Sequence, residues 1–321
     1  MENNLRPHTD NRKLKTENRK PILPLLLLLA LAWGCGPSAP DHIIVFCSPD
    51  SPRMRQAIEG LEANLGEPLE VICVPEFGDE GREELRRLRQ RRPRLLVALG
   101  TPALMRVARG EKNIPVVFAL VANPYFTGAA YEPDHPEDHQ EYITGLASPP
   151  PLTAAWEQGA SLLGPAPWGL LYDPNDGVAV EVAARFTQEA PRFGLKPLTE
   201  EGTDAASDAR GLERLLARGA KVIYLPPVPS AQRYGAGVLK WGREGKVLVV
   251  SGHPELPRQG AVLWVALDYR RLGEETAALA RRVLQGEAPK KIAIRETTPL
   301  KVEVDEALLR RWSGYPTPKA K

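Results

Sequence analysis

Cysteine is scarce in this chain: three in 321 residues, at Cys35, Cys47 and Cys73. Neither sign of charge dominates. The net charge of +2 gives no reason to invoke nucleic acid or a strongly acidic partner. There is no P-loop, no HExxH, no GxSxG, and no glycine-rich dinucleotide fingerprint after a strand. No cofactor and no catalytic residue is therefore expected. His135, Asp138 and His139 could together hold a metal, but they lie in a polar, proline-punctuated stretch with nothing rigid beside it. A mobile surface loop is expected there, without metal. The basic run at residues 82–94 has no interleaved aromatics and mixes its arginines with Glu83 and Glu84, so it reads as a solvated helix face.

The longest apolar run is short of the roughly 20 residues that span a bilayer comfortably. It is five leucines, Leu25 to Leu29, then Ala30, Leu31, Ala32 and Trp33. Lys13, Lys15, Arg19 and Lys20 precede it, and Gly34 and Cys35 close it. Charged head, apolar middle and small residue make an export signal. Cys35 resembles the lipidation cysteine of a bacterial lipoprotein signal. Gly34 fits that pattern, while Ala32 and Trp33 depart from it and Leu31 stands one place early. The expectation is a lipid anchor at Cys35; ordinary cleavage nearby is the alternative. Residues 36–40 read as a tether, and residues 1–40 together as signal and tether.

After the tether, apolar runs alternate with amphipathic segments. Strands are expected at 42–47, 69–74, 95–99 and 116–121, with helices between them. Ser51 and Pro52 form a cap and first-residue pair. The alternation restarts after Pro149-Pro150-Pro151 and a helix over 152–163. Further strands follow at 168–172, 195–199, 221–225, 246–250, 261–267, 292–294 and 301–304. Such alternation argues for two doubly wound parallel sheets in two lobes, an α/β fold. Ligands bind such sheets at the carboxyl ends of their strands. Cys47 and Cys73 fall on neighbouring strands. They could pair in an oxidising compartment, but parallel neighbours seldom offer disulfide geometry, so buried free thiols are expected.

Three stretches then carry a resemblance. They are Val97-Ala98-Leu99-Gly100-Thr101-Pro102-Ala103, the run from Asn113-Ile114-Pro115 to Ala122-Asn123-Pro124, and Ile143-Thr144-Gly145. It continues through Leu171-Tyr172-Asp173-Pro174-Asn175, Val222-Ile223-Tyr224-Leu225-Pro226 and Leu267-Asp268-Tyr269-Arg270-Arg271-Leu272-Gly273. In order and spacing these resemble the ABC-transporter substrate-binding protein family linked to tryptophan and tyrosine uptake. The resemblance implies a type I periplasmic-binding-protein clamshell with three inter-lobe crossings, expected near Leu163, Gly252 and Glu287. The lobes would be 41–163 with 253–287 and 164–252 with 288–314, leaving 315–321 as a tail. It also implies capture of a small solute by a monomer that hands it to a membrane permease with an ATPase subunit.

On this reading the ligand-binding residues are Ser48, Thr101, Pro102, Asn123, Tyr172, Asp173 and Asp268. Thr101 is expected to cap a helix beginning at Pro102, so that its turn forms an anion corner. Tyr172 and Asp173 would close from the other lobe, and Asp268 would serve as hinge or ligand group. Two departures bear on the ligand. Asn123 replaces the family's usual Asp, and Pro226-Pro227-Val228 replaces Pro-Thr-Asp. Both remove carboxylates that could hold an ammonium. A two-lobed enzyme of glycosyltransferase type, with Asp173, Asp268 or His253 as its base, is the alternative. So is a solute sensor for a membrane receptor. A sugar-type transcription regulator would need a DNA-binding head where this chain has its leader.

Overall fold

The computed structural model describes residues 42–47, 50–74 and 79–312. The leader with Cys35, Ser48 and the tail 315–321 lie outside them.

The chain starts with β1 (Ile43–Cys47), α1 (Pro52–Leu65), β2 (Leu69–Cys73), α2 (Asp79–Arg91), β3 (Leu95–Leu99), α3 (Thr101–Ala108), β4 (Val116–Val121) and β5 (Ile143–Ala147). It continues with α4 (Leu152–Leu163), β6 (Pro167–Tyr172), α5 (Gly177–Glu189), β7 (Lys196–Glu201), α6 (Ala205–Ala217), β8 (Val222–Leu225), α7 (Ala231–Arg243), β9 (Leu248–Ser251) and β10 (Leu263–Leu267). It closes with α8 (Tyr269–Leu284), β11 (Arg295–Glu296), β12 (Leu300–Val304) and α9 (Glu306–Arg311).

Two sheets result. The first has the order β11-β5-β4-β3-β1-β2 and the second β12-β10-β9-β8-β6-β7. All pairings are parallel except β10 with β12. The central strands β1 and β3 are buried along their whole length, as continuous aliphatic runs covered on both faces must be. The edge strand β2 is half open to solvent. β5 has no strand assigned to it in the sequence reading, because Thr144 and Gly145 interrupt its apolar run.

The crossings fall elsewhere than expected. Leu152, Trp156 and Leu163 of α4 pack with Trp168, Phe186 and Tyr224 in the second lobe's core. The first crossing is therefore between β5 and α4, not near Leu163. β10 pairs with β9 and β12 in the second sheet, while α8 packs into the first lobe with Leu272, Ala277 and Ala280. The second crossing is thus at Asp268, not Gly252. The third lies between β11, which joins β5, and β12, not near Glu287. The lobes are 42–147 with 269–296, and 152–267 with 300–312.

Cys47 and Cys73 are disulfide-bonded, against the expectation of free thiols. The reason is register: they are directly opposite on β1 and β2, with Cα atoms 4.4 Å apart, inside the range a disulfide spans. The stretch before His139 is a surface loop, with His135 and Asp138 exposed, but His139 itself is buried. His139 is 5% exposed, and its two ring nitrogens each lie 3.0 Å from a backbone carbonyl oxygen, of Gln140 and of Ile292. No group of three potential metal ligands occurs among the described residues, and no helix among them is long and apolar enough to cross a membrane.

Candidate functional site

A cavity of about 460 Å³ lies between the lobes at the carboxyl ends of the strands. The first lobe contributes the loops after β1, β3, β4 and β5, with Asp50, Gly100, Thr101, Ala122 and Ser148. The second contributes the loops after β8, β9 and β10, with Pro227, Gly252, Pro254 and Leu267. Its floor is therefore built from the middle of each sheet, where strand ends from both lobes face each other.

Each first-lobe contribution has a local cause. Gly100 sits at φ 94°, a backbone state glycine adopts without strain, and turns the chain from β3 into α3. Gly100, not Thr101, is the N-cap; Thr101 is the first helical residue, and no side chain caps the helix. The Thr101 hydroxyl is thus not spent on capping. Leu120 takes φ 59°, unusual for a branched aliphatic residue. It sits where the β4–β5 register slips between Phe118 and Val121, and this bulge turns Leu120 into the cavity wall. Ser148 directly follows β5 and donates its N–H to Val121 O at 2.8 Å. It is 5% exposed, and its Oγ has no hydrogen-bond partner among the described residues.

Helix starts converge here. α1 begins at the cavity and is capped by Ser51, whose Oγ accepts the Met54 N–H. α4 begins at Leu152, just after Pro150 and Pro151 in the cavity wall; no side chain caps it, and its Leu152 N–H donates to Pro150 O at 2.8 Å. α8 begins at Tyr269, capped by Asp268 through the Arg271 N–H. Arg53 on α1 reaches across to Glu255 at 3.7 Å and lies against the Tyr269 phenol, whose pKa burial raises.

Of the residues expected to bind ligand, Thr101 and Pro102 line this cavity. Asn123, Tyr172, Asp173 and Asp268 do not. Asn123 is exposed, and its side-chain oxygen accepts the Tyr125 N–H at 3.0 Å in a turn. Tyr172 donates its hydroxyl to Glu201 at 2.8 Å. Asp173 is 7% exposed; it accepts the Asn175 N–H and pairs with Arg233, which also grips Asp208. The Asn175 N–H, then Arg233, hold the Asp173 carboxyl below its ordinary range. These residues end β6, and β7 beyond it closes that side of the sheet; β8, β9 and β10 serve the cavity instead. Asp268 caps α8, and its N–H donates to Pro299 O at 2.7 Å, joining the second crossing to the third. His253 is buried, which lowers its pKa, and its Nδ1 accepts the Glu255 N–H. The sequence reading misses Ser148, Leu120 and Arg53.

The family described as ABC transporter substrate binding protein matches residues 82–311, and the chain belongs to it. Among solved structures it is similar to the ligand-free, open form of CD0873, a substrate binding protein with adhesive properties from Clostridium difficile. That match has a TM-score of 0.71 at 17% identity, covering 84% of this chain and 94% of that one. It is also similar to an ABC domain in complex with L-Trp from Streptococcus pneumonia, with a TM-score of 0.61 at 18% identity, covering 86% of this chain and 96% of that one. A conserved domain protein from Vibrio cholerae gives 0.61 at 19% identity, covering 87% and 96%. No curated protein matches. At these identities the likeness fixes the fold, the two-lobed type I periplasmic-binding-protein fold with three crossings, and the family assigns a solute-binding role.

Proposed function

We propose that this chain captures a small solute in the inter-lobe cavity and delivers it to a membrane permease driven by an ATPase subunit, while tethered to the membrane through a lipid on Cys35. The observation that carries the capture step is the cavity itself. Both lobes line it, and the three crossings beside it can act as a hinge. Thr101 and Pro102 are its ligand-facing residues at the start of α3. The leader composition and the Gly34-Cys35 pair support the anchor.

Calorimetry on the purified mature chain, with chromatography of the recovered solute, tests the capture step. One solute per chain, recovered unchanged, is the expected result; conversion of the solute during incubation would refute capture without chemistry. Mass spectrometry of the native N-terminus tests the anchor, and an unmodified terminus downstream of Cys35 would remove it. Loss of solute uptake on deleting the chain from its own cells, restored by the wild-type protein, is expected of delivery. Unchanged uptake would leave capture standing and exclude delivery.

A further inference from the structure

We propose that the base of the first lobe is a docking face for an anionic phospholipid surface, drawn there by Arg92, Arg109, Lys112, Lys290 and Lys291. This rests on the anchor reading above, which brings the face within reach of a membrane.

The first sheet is wholly parallel, so its strands all start at one end, opposite the cavity. Backbone bonds mark that end: Arg94 N–H to His42 O and Leu96 N–H to Pro115 O, both at 2.9 Å, and Val116 N–H to Tyr142 O at 2.7 Å. α2, α3 and α8 run back against the strands and finish there. Arg92 follows α2, Arg109 and Lys112 follow α3, and Lys290 and Lys291 follow α8. All five are exposed, and none is in an ion pair among the described residues. The earlier part of the basic run differs: Arg86 and Arg87 are matched by Glu83 and Glu84 on the same helix.

Acids at this end do not cancel the charge. Glu67 is matched by Arg94, Glu70 by Arg91, Glu111 by Arg89 and Glu287 by Arg282. Asp41 and Glu141 remain against the five cations. The acids of the β4–β5 connection, from Glu132 to Asp138, lie to the β11 side, where Ile294 N–H meets Pro136 O at 2.8 Å. Residues 1–34 hold six Lys and Arg against three Asp and Glu, so the rest of the chain is net −1. A net-negative body with one cationic end meets an anionic surface by that end. The tether reaches the same face. Six residues, 36–41, separate Cys35 from His42. An extended chain covers about 3.3–3.6 Å per residue, so a lipid on Cys35 keeps His42 within about 25 Å of the headgroups. Arg89 and Arg92 also line a recess of about 540 Å³ beside Pro93 and Gly110, open to a headgroup phosphate. With the base down, the cavity at the other strand ends faces away from lipid and stays open to solute. The contact is screened by salt, so the chain can lift from it to reach a permease.

The test uses the mature protein, purified from its own cells and added to vesicles of phosphatidylcholine alone or mixed with phosphatidylglycerol. Sedimentation with phosphatidylcholine alone reads the anchor. Amine labelling, followed by peptide mass spectrometry, reads the face. On mixed vesicles at low salt, Lys112, Lys290 and Lys291 should label at least about fivefold more slowly than on phosphatidylcholine, the factor that one basic side chain's attraction supplies. Lys240 and Lys246 of the second lobe, both exposed, should label alike on the two. Roughly 1 M salt, which screens charges beyond about 3 Å, should abolish the protection. Arg92→Gln combined with Arg109→Gln should weaken it while sedimentation and circular dichroism stay unchanged. Equal labelling of the base lysines on both vesicles, or equal protection of Lys240 and Lys246, would overturn the docking face and leave the anchor standing. Protection that survives salt or the double variant in full would overturn its assignment to these cations. Failure to sediment with phosphatidylcholine would remove the anchor instead. Base-selective protection on mixed vesicles would then uphold the face by itself, and its absence would overturn it.

Discussion

Gly273 on α8 and Gly237 on α7 are both interior helix glycines, yet the same change to alanine should move stability in opposite directions. A Cβ on Gly273 would stand 2.0 Å from Ala57 O and 2.9 Å from Leu61 N, both backbone atoms of α1. The contact is about 1.4 Å short of ordinary van der Waals distance. It cannot be relieved by a side-chain rotation, because the obstacle is the neighbouring helix itself. Gly60 makes the reciprocal close approach, its would-be Cβ 2.0 Å from Arg270 O. Alanine would gain roughly 0.8–1.0 kcal/mol of helix propensity at either position. At Gly273 that gain is outweighed by overpacking of roughly 1–3 kcal/mol, at its upper end for backbone against backbone. Gly273→Ala should therefore lose about 2 kcal/mol. Gly237 is exposed, with nothing within 4 Å of its would-be Cβ, so Gly237→Ala should gain up to about 1 kcal/mol. Urea unfolding of the two variants, compared at equal m-value, reads the difference directly. Thermal melts should separate in the same sense, by roughly 2–4 °C per kcal/mol. Because α8 starts at Tyr269 in the cavity wall, Gly273→Ala should also weaken solute binding. A Gly273→Ala protein as stable as Gly237→Ala would refute the close-packing argument.

Reducing the Cys47–Cys73 bond, or replacing Cys73 by serine, frees a loop spanning a sequence separation of 26; it should cost about 3 kcal/mol, and a thermal midpoint insensitive to dithiothreitol would contradict this. Glu111 is 3% exposed. Burial pushes its carboxyl up, but the N–H groups of Ile114 and Asn113 and the Arg89 guanidinium together hold it below 4.5. A lowered folded pKa stabilises the fold above 4.5 and loses that contribution as pH falls through the folded value. Glu111→Gln should therefore flatten the acid limb of stability against pH, measured by urea unfolding at successive pH values; an unchanged acid limb would count against it. Arg233→Met strands Asp208, 2% exposed, and Asp173, 7% exposed. Because the Arg233 side chain is 30% exposed, the cost should be about 2–3 kcal/mol, below that of a fully buried pair; a midpoint shift under 0.5 kcal/mol, roughly a surface substitution's effect, would show the cluster to be solvated.

The alternation of apolar strand and amphipathic helix was legible because parallel strands buried on both faces must be aliphatic throughout, as Leu95–Leu99 is. The lobe boundaries were not legible. Leu263–Leu267 looks the same whether it pairs with β9 or crosses to the other sheet, and only partners distant in sequence decide. The Gly-Thr-Pro turn announced a helix start at a strand end, so Thr101 and Pro102 could be placed. Tyr172 and Asp173 misled because what occupies them, Glu201 and Arg233, lies 29 and 60 residues away. Ser148 was silent for the opposite reason: a lone serine has no pattern, and its meaning comes from lacking a partner once folded. The disulfide needed the register of β1 on β2, which no local property of either cysteine encodes.

The bond from Asp268 N–H to Pro299 O ties two of the three inter-lobe connections side by side. Paired connections bend together but resist twisting past one another, much as a door leaf on two knuckles swings without rolling. The lobes of this chain should consequently open and shut about one axis, with swivel suppressed. Solute capture would then register as a single compaction coordinate, and the face that the shut form offers to a membrane partner would be the same one each time.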